Sequence, residues 1–132
     1  MILKSFELRK IKPNDCKFYL FYGDNEGLKE ETIKHLFEKD YRDKIHRYEE
    51  KEILDDINIF FNSVLTKSFF DNEKLIIINR TTDKIKTTIE DLIKKNPKDI
   101  QIILNSKNLE KKSSLRKLFE KEKSIVCVPF YE

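Results

Sequence analysis

The sequence has few of the residues that break regular structure or that mark a membrane or secreted protein. It contains two glycines, three prolines and no tryptophan in 132 residues. With so few breakers, we find no internal linker, repeat or low-complexity block, and the length fits one domain, 1–132, with its own core. No apolar run approaches the ~20 residues of a membrane helix, and the start of the chain lacks the pattern of a signal peptide. We therefore expect a cytoplasmic protein that makes no membrane contact.

The sequence also lacks the residue clusters that form metal sites or covalent catalytic centres. Cys16 and Cys127 each lie in or beside an apolar run without a metal-ligand neighbour, which favours two reduced thiols. His35 and His46 belong to no cluster with metal-binding or catalytic spacing. No serine, cysteine or histidine constellation for nucleophilic catalysis is visible. We expect no metal and no cofactor.

Charge of one sign is not in excess, although charged residues make up 39% of the chain. The 27 basic and 24 acidic residues leave a formal net charge of +3, and they are interspersed. Such a balance does not by itself predict nucleic-acid binding. The run 107–117, with Lys107, Lys111 and Lys112, is a candidate for contacts with DNA phosphates. The alternative is an ordinary solvated face.

The chain shows a regular alternation of apolar runs and amphipathic stretches. The runs 76–78 and 102–104 are apolar without alternation, as expected of strands covered on both faces of a parallel sheet. The order predicts a three-layer α/β/α sandwich with a five-stranded, mainly parallel sheet and right-handed crossovers. The predicted strands are 18–22, 44–48, 74–79, 100–104 and 124–128. Helical patterns lie at 28–37, 53–65, 85–93 and within 109–121.

The first predicted strand is followed by a loop that is similar to a nucleotide-binding P-loop but does not match it. A P-loop reads G-x-x-x-x-G-K-[ST], and its hydroxyl residue holds Mg²⁺. Gly23 and Lys29 have the required separation, but Leu28 replaces the second glycine and Glu30 replaces the hydroxyl residue. Asn79 also stands at the end of the third strand, where a P-loop enzyme needs an acid. Two contacts to a metal ion are therefore missing.

Acidic residues around this loop also argue against a bound triphosphate. They would complement the dipole of the following helix, with Asp24 or Asn25 as its N-cap, but they would repel phosphate. We therefore predict that the loop, with Gly23, Gly27 and Lys29, is a structural turn. A working P-loop ATPase remains the alternative. The acids are Asp24, Glu26, Glu30 and Glu31.

Two adjacent phenylalanines, Phe69 and Phe70, lie between the strongest helical pattern and a buried strand. Neighbouring side chains diverge on any regular element, so the two cannot both face one core. An exposed aromatic pair would be a typical anchor for a protein partner. Composition and spacing alone favour the other reading, in which both rings close the end of the sheet.

Four strings of the sequence, taken in their order and spacing, resemble the N-terminal domain of the delta subunit of the bacterial DNA polymerase III clamp loader. The strings are 21–29, 68–76, 82–84 and 109–118, and the resemblance spans nearly the whole chain. It implies an AAA+-type, P-loop-like fold without ATPase activity. In that family the domain binds the ring-shaped sliding clamp, the beta subunit, and helps to open it during DNA replication.

The resemblance also implies which residues touch the clamp. In the family, two adjacent hydrophobic residues before the third strand insert into a pocket on the clamp. Phe69 and Phe70 match these positions, although the first is often a leucine in the family. The preceding helix would buttress the pair and touch the clamp. The implied clamp-binding residues are Phe61, Leu65, Thr66, Ser68, Phe69 and Phe70, with Val64 beside them.

Whole delta subunits continue into a helical lid and a collar, and the collar assembles the loader. The resemblance implies that both lie outside 1–132, and the end of the sequence fits either a domain edge or a natural terminus. Contacts with other loader subunits, and with DNA through the assembled complex, would then involve the longer protein. Two other functions stay open at this point, namely an active P-loop ATPase and a nucleic-acid-binding module that uses the 107–117 face.

Overall fold

Five strands form one parallel sheet in a computed structural model of the chain. The structure describes residues 1–10, 17–70, 73–97 and 99–131, and gives only the backbone for residues 9, 10 and 66–70. The spatial order of the strands is β2-β3-β4-β1-β5, and every pairing is parallel. The predicted α/β fold with a five-stranded parallel sheet is confirmed. The strands are β1 (Phe18–Tyr22), β2 (Ile45–Glu49), β3 (Lys74–Asn79), β4 (Ile100–Ser106) and β5 (Val126–Pro129).

Helices cover both faces of the sheet. Short 3-10 turns at Ser5–Lys10, Arg42–Lys44 and Asp83–Ile85, and a π-helical turn at Lys34–Glu38, complete the helical segments. No helix in the described part of the chain has both the length and the apolar character needed to cross a membrane. The helices are α1 (Glu26–Ile33), α2 (Lys39–Tyr41), α3 (Glu50–Asp55), α4 (Ile57–Phe70), α5 (Lys86–Lys95) and α6 (Ser114–Lys121).

The sheet separates two hydrophobic cores. Successive residues of β1 alternate between them, because neighbouring side chains of a strand point to opposite faces. Leu20 packs with residues of α3 to α6 on one face, whereas Phe21 packs with residues of α1 and α2 on the other. Burial on both faces explains the continuous apolar runs of β1, β3 and the middle of β4, whereas β2 is only partly buried.

The longest helical pattern forms two helices rather than one. Asp56 leaves the helical conformation (φ −152°, ψ 84°) and separates α3 from α4. Its Oδ1 accepts a hydrogen bond from the Ile59 N–H at 3.1 Å, as an N-cap residue does. Helix α4 then continues to Phe70, so residues 66–70, expected between a helix and a strand, are helical.

Cys127 lies in β5 and is buried. Burial in apolar surroundings raises the pKa of its thiol to about 12, so the group stays protonated and unreactive near neutral pH. Its backbone pairs with the N-terminal segment through Ile2, which covers this edge of the sheet. The other cysteine, Cys16, lies outside the described residues.

Candidate functional site

The loop between β1 and α1 is a tight turn held by the segment that follows β5. Gly23 has a φ of +128°. The Phe130 N–H donates to the carbonyl oxygen of Tyr22 at 2.7 Å, and the Asn25 N–H donates to the carbonyl oxygen of Phe130 at 3.2 Å. Asn25 caps α1, because its Oδ1 accepts from the Leu28 N–H at 3.1 Å. The structure thus selects Asn25 from the two predicted N-cap residues.

Lys29 is fully buried, and its ammonium group is held by acceptors of the chain itself. Its Nζ donates to Glu26 Oε1 at 2.7 Å and to the carbonyl oxygen of Ser106 at 2.7 Å. A lysine has three N–H donors, so two of them are used by these bonds. The Glu26 carboxylate bound to this ammonium group would repel a phosphate group. The geometry therefore favours the predicted structural role of the loop.

A cleft of about 460 Å³ lies beside this loop at the carboxyl end of the strands. Arg80 pairs with Glu49 in the lining of the cleft, and Asn105 Nδ2 donates to Asn79 Oδ1 at 3.2 Å. Among the described residues, no group of three or more histidines, cysteines or acids could hold a metal ion. The lining mixes both charges: Glu26, Glu30, Glu49, Asn79, Arg80, Asn105, Ser106 and Lys107.

Helix α4 has a buried side and an exposed side. Phe60 and Val64 are buried against the sheet, and Phe61 is partly buried against the same core. Ile59 and Asn62 are exposed. Leu65 is partly buried, whereas the side chains of Thr66, Ser68, Phe69 and Phe70 lie outside the described part of the structure. The assignment of these residues, and of Phe61, as partner-binding residues stays a prediction.

The basic residues after β4 do not form a uniform positive surface. Lys107, Lys111 and Lys112 are all exposed. Lys112 Nζ lies 3.3 Å from Glu110 Oε2, so an acid interrupts the run. Arg116 is turned inward, with its guanidinium 4.9 Å from the centre of the Tyr22 ring. DNA contact by the three lysines stays a prediction.

The comparisons with known proteins identify the family of the chain. The sequence model of the family described as "DNA polymerase III, delta subunit" matches residues 19–128. The chain belongs to the DNA polymerase III delta subunit family. No curated protein sequence gives a significant match.

This delta-family chain also has the fold of a solved clamp-loader protein. The Bacillus subtilis DNA clamp loader delta protein (YqeN) matches with a TM-score of 0.61 and 18% identity. The match covers 96% of this chain and 41% of that one. At this level of identity the similarity establishes the fold, and the chain spans about two fifths of the length of that protein.

In this delta-family chain, two strings of the family resemblance are in direct contact. Asp83 Oδ1 accepts hydrogen bonds from the Ser113 hydroxyl and from the Leu115 N–H. Thr82 donates through its N–H and its hydroxyl to the buried carboxylate of Glu50, at 2.7 and 2.8 Å. The turn after β3 thus links the start of α3, which leads into α4, to the start of α6.

Asp83→Asn is expected to lower the stability of this delta-family chain by about 1 kcal/mol at pH 7, because hydrogen bonds to a charged acceptor are the stronger ones. The Ser113 hydroxyl first, and then the Leu115 N–H, lower the pKa of the Asp83 carboxyl. The ionised group therefore stabilises the fold above the unfolded-state pKa of about 3.9. That contribution is lost as the pH falls through the lower folded-state pKa.

Urea unfolding of Asp83→Asn and of the unaltered chain between pH 7 and pH 3 measures this contribution. The stability difference should shrink as the pH falls below about 4. The matched control is Asp91→Asn, at an exposed position of α5, which should stay within about 0.5 kcal/mol of the unaltered chain. A stability difference that does not vary with pH would contradict the role given to the Asp83 charge.

Contacts that span distant segments were missed by sequence reasoning. The Glu26–Lys29 pair has the i, i+3 spacing of helix neighbours, so it could have been found from the sequence. The bond from Lys29 to Ser106 joins residues 77 positions apart. Nothing in the sequence indicates that bond.

Proposed function

We propose that the chain is a non-catalytic, clamp-binding part of a clamp-loader delta subunit. It would bind the sliding clamp, the beta subunit, through the end of α4 and help to open the ring during DNA replication in the cytoplasm. Membership of the delta subunit family supports a role in clamp loading. The proposed partners also include other loader subunits, and DNA through the assembled loader.

The observation that carries this proposal is the exposed side of α4. A helix has 3.6 residues per turn, so positions seven or eleven residues apart share a face. Position 69 follows Asn62 by seven residues, and position 70 follows Ile59 by eleven. Both Asn62 and Ile59 are exposed, opposite the buried side of α4. Helical periodicity thus supports an outward-facing Phe69–Phe70 pair over a pair that closes the sheet.

Such a pair would act as the hot spot of a helical wedge. Burying one phenylalanine side chain contributes roughly 1.5–3 kcal/mol, and a few aromatic anchors commonly dominate the energy of an interface. The wedge could have a higher affinity for a clamp with a distorted ring interface than for a closed clamp. Binding would then shift the population toward the open ring. This step needs no ATP at this subunit. ATP bound elsewhere in the loader would control access to the wedge.

A non-catalytic role also fits the geometry around Lys29. Its ammonium group is bound to Glu26 and to the Ser106 carbonyl. Glu30, in place of a hydroxyl residue, lines the adjacent cleft, where its charge would oppose a triphosphate. An active ATPase is therefore the weaker alternative.

The proposal is tested by titrating the chain over the immobilised sliding clamp of the same organism. We expect saturable binding with the same affinity in the presence and absence of Mg²⁺ and ATP. A parallel titration of the chain with Mg²⁺–ATP should give no measurable binding. Absence of clamp binding by the folded chain would refute the proposed function, and tight Mg²⁺-dependent ATP binding would favour the ATPase instead.

A further inference from the structure

Helix α4 is almost free of charge in a highly charged protein. Charged residues make up 39% of the chain, yet Lys67 is the only one among the 14 residues of α4. The surface side of a helix is usually polar or charged, whereas the centres of protein interfaces are depleted of charge. The exposed residues of α4 with described side chains are Ile57, Asn58, Ile59 and Asn62.

Of the two exposed isoleucines of α4, Ile59 is the more exposed. Its side chain is 67% exposed, compared with 39% for Ile57. Ile59 and position 70 share a face of α4, and at 1.5 Å per residue they are roughly 16 Å apart along the helix axis. Asn62 lies between them on the same side. An uncharged strip thus runs along α4 from Ile59 to Asn62, and the charged residue of the helix, Lys67, comes later in the sequence.

The area that a specific interface buries indicates how much surface a bound partner must cover on this chain. Two phenylalanine side chains bury roughly 150–250 Å² each, whereas a stable protein complex buries about 800 Å² on each partner. A clamp held by Phe69 and Phe70 must therefore cover further surface of this chain. The uncharged strip lies on the same helix and leads toward those two positions. No charged group of α4 would have to be desolvated between Ile59 and Thr66.

We infer that the sliding clamp covers the exposed side of α4 as far as Ile59, and that Ile59 is a second apolar anchor. This inference rests on the proposed function, because it takes the clamp as the partner. Ile59 adds apolar contact at one end of the strip, and Asn62 can exchange hydrogen bonds with the partner between the two anchors. The clamp would thus contact α4 over about three turns.

Ile59→Ala tests this anchor, because alanine removes apolar area while favouring the helix. We expect Ile59→Ala to weaken clamp binding about tenfold, which corresponds to the loss of part of one buried side chain. Ile59→Lys should weaken binding further, because a buried, unpaired ammonium group is costly. The measurement is the equilibrium titration of each variant against the immobilised clamp, with thermal unfolding to check that the fold is retained.

Ile2→Ala is the matched control. Ile2 is also an exposed isoleucine, 56% exposed, but it lies beside β5. That edge of the sheet is opposite β2, whose Tyr48 packs against Phe60 of α4. The control should keep its affinity within about twofold, since an exposed residue outside the interface contributes little.

The outcomes separate this inference from the function on which it rests. If Ile59→Ala and Ile59→Lys both bind as tightly as the unaltered chain while loss of Phe69 and Phe70 abolishes binding, the extended contact is wrong and the wedge stands. If the unaltered chain does not bind the clamp, both fail. If Ile2→Ala weakens binding as much as Ile59→Ala, the effect is not specific to α4 and the inference is also wrong.

Discussion

Replacing Phe69 and Phe70 together by serine is expected to weaken clamp binding at least about a hundredfold. Each buried phenylalanine contributes roughly 1.5–3 kcal/mol, and about 1.4 kcal/mol corresponds to a factor of ten in affinity. From helical periodicity we expect both positions to lie away from Phe60 and Val64, which are on the buried side of α4. The fold should therefore survive, with an unchanged far-UV circular dichroism spectrum. Surface plasmon resonance against the immobilised clamp measures the loss.

Phe6→Ser is the matched control for this double variant. Phe6 is a phenylalanine with 70% of its surface exposed, in the 3-10 turn Ser5–Lys10, where it lines a cleft with residues of α1 and none of α4. Its replacement should leave clamp affinity within about twofold. A folded Phe69→Ser, Phe70→Ser variant that binds as tightly as the unaltered chain would contradict the proposed role of these two residues in clamp binding. A double variant that no longer folds would instead favour the reading in which both rings close the sheet.

The strands were the most predictable part of the fold, because a buried strand is apolar along its length and this run is visible in the sequence. β1 and β3 have the predicted bounds, Phe18–Tyr22 and Lys74–Asn79, since a strand covered on both faces needs an unbroken apolar run. The break at Asp56 was not predicted, because the apolar stripe keeps its helical spacing on both sides of it. A single capping side chain divides the two helices there, and its effect is local.

The candidate sites were predictable only where the sequence itself carries the signal. The departures from the P-loop pattern, such as Glu30, are visible in the sequence. The partners of Lys29 are not, because Ser106 approaches it only after β1 and β4 pair side by side. Ile59 was not singled out from the sequence either, because its exposure depends on which side of α4 meets the sheet.

Gly23→Ala should produce the largest loss of stability among single substitutions in the loop, about 3–4 kcal/mol. Gly23 has a φ of +128°, which residues with a side chain rarely adopt. A Cβ at this position would lie 2.1 Å from the carbonyl oxygen of Phe130 and 2.7 Å from its carbonyl carbon. Both are backbone atoms, and the same carbonyl accepts the Asn25 N–H. The clash cannot be relieved by a rotamer change, so the turn or the segment after β5 must move.

Thermal and urea unfolding measure this loss, and a fall in the midpoint of roughly 10–20 °C is expected. The control is Gly27→Ala, since Gly27 is the other glycine of the chain and lies in the first turn of α1. Outside the backbone of its own helix, a Cβ there would have one neighbour within 4 Å among the described residues, Asn25 Oδ1 at 4.0 Å. Alanine should therefore stabilise the helix by about 0.5–1 kcal/mol. Equal stability of the two variants would contradict this prediction. It would mean that the conformation of the β1–α1 loop does not depend on the contact between Gly23 and the Phe130 backbone.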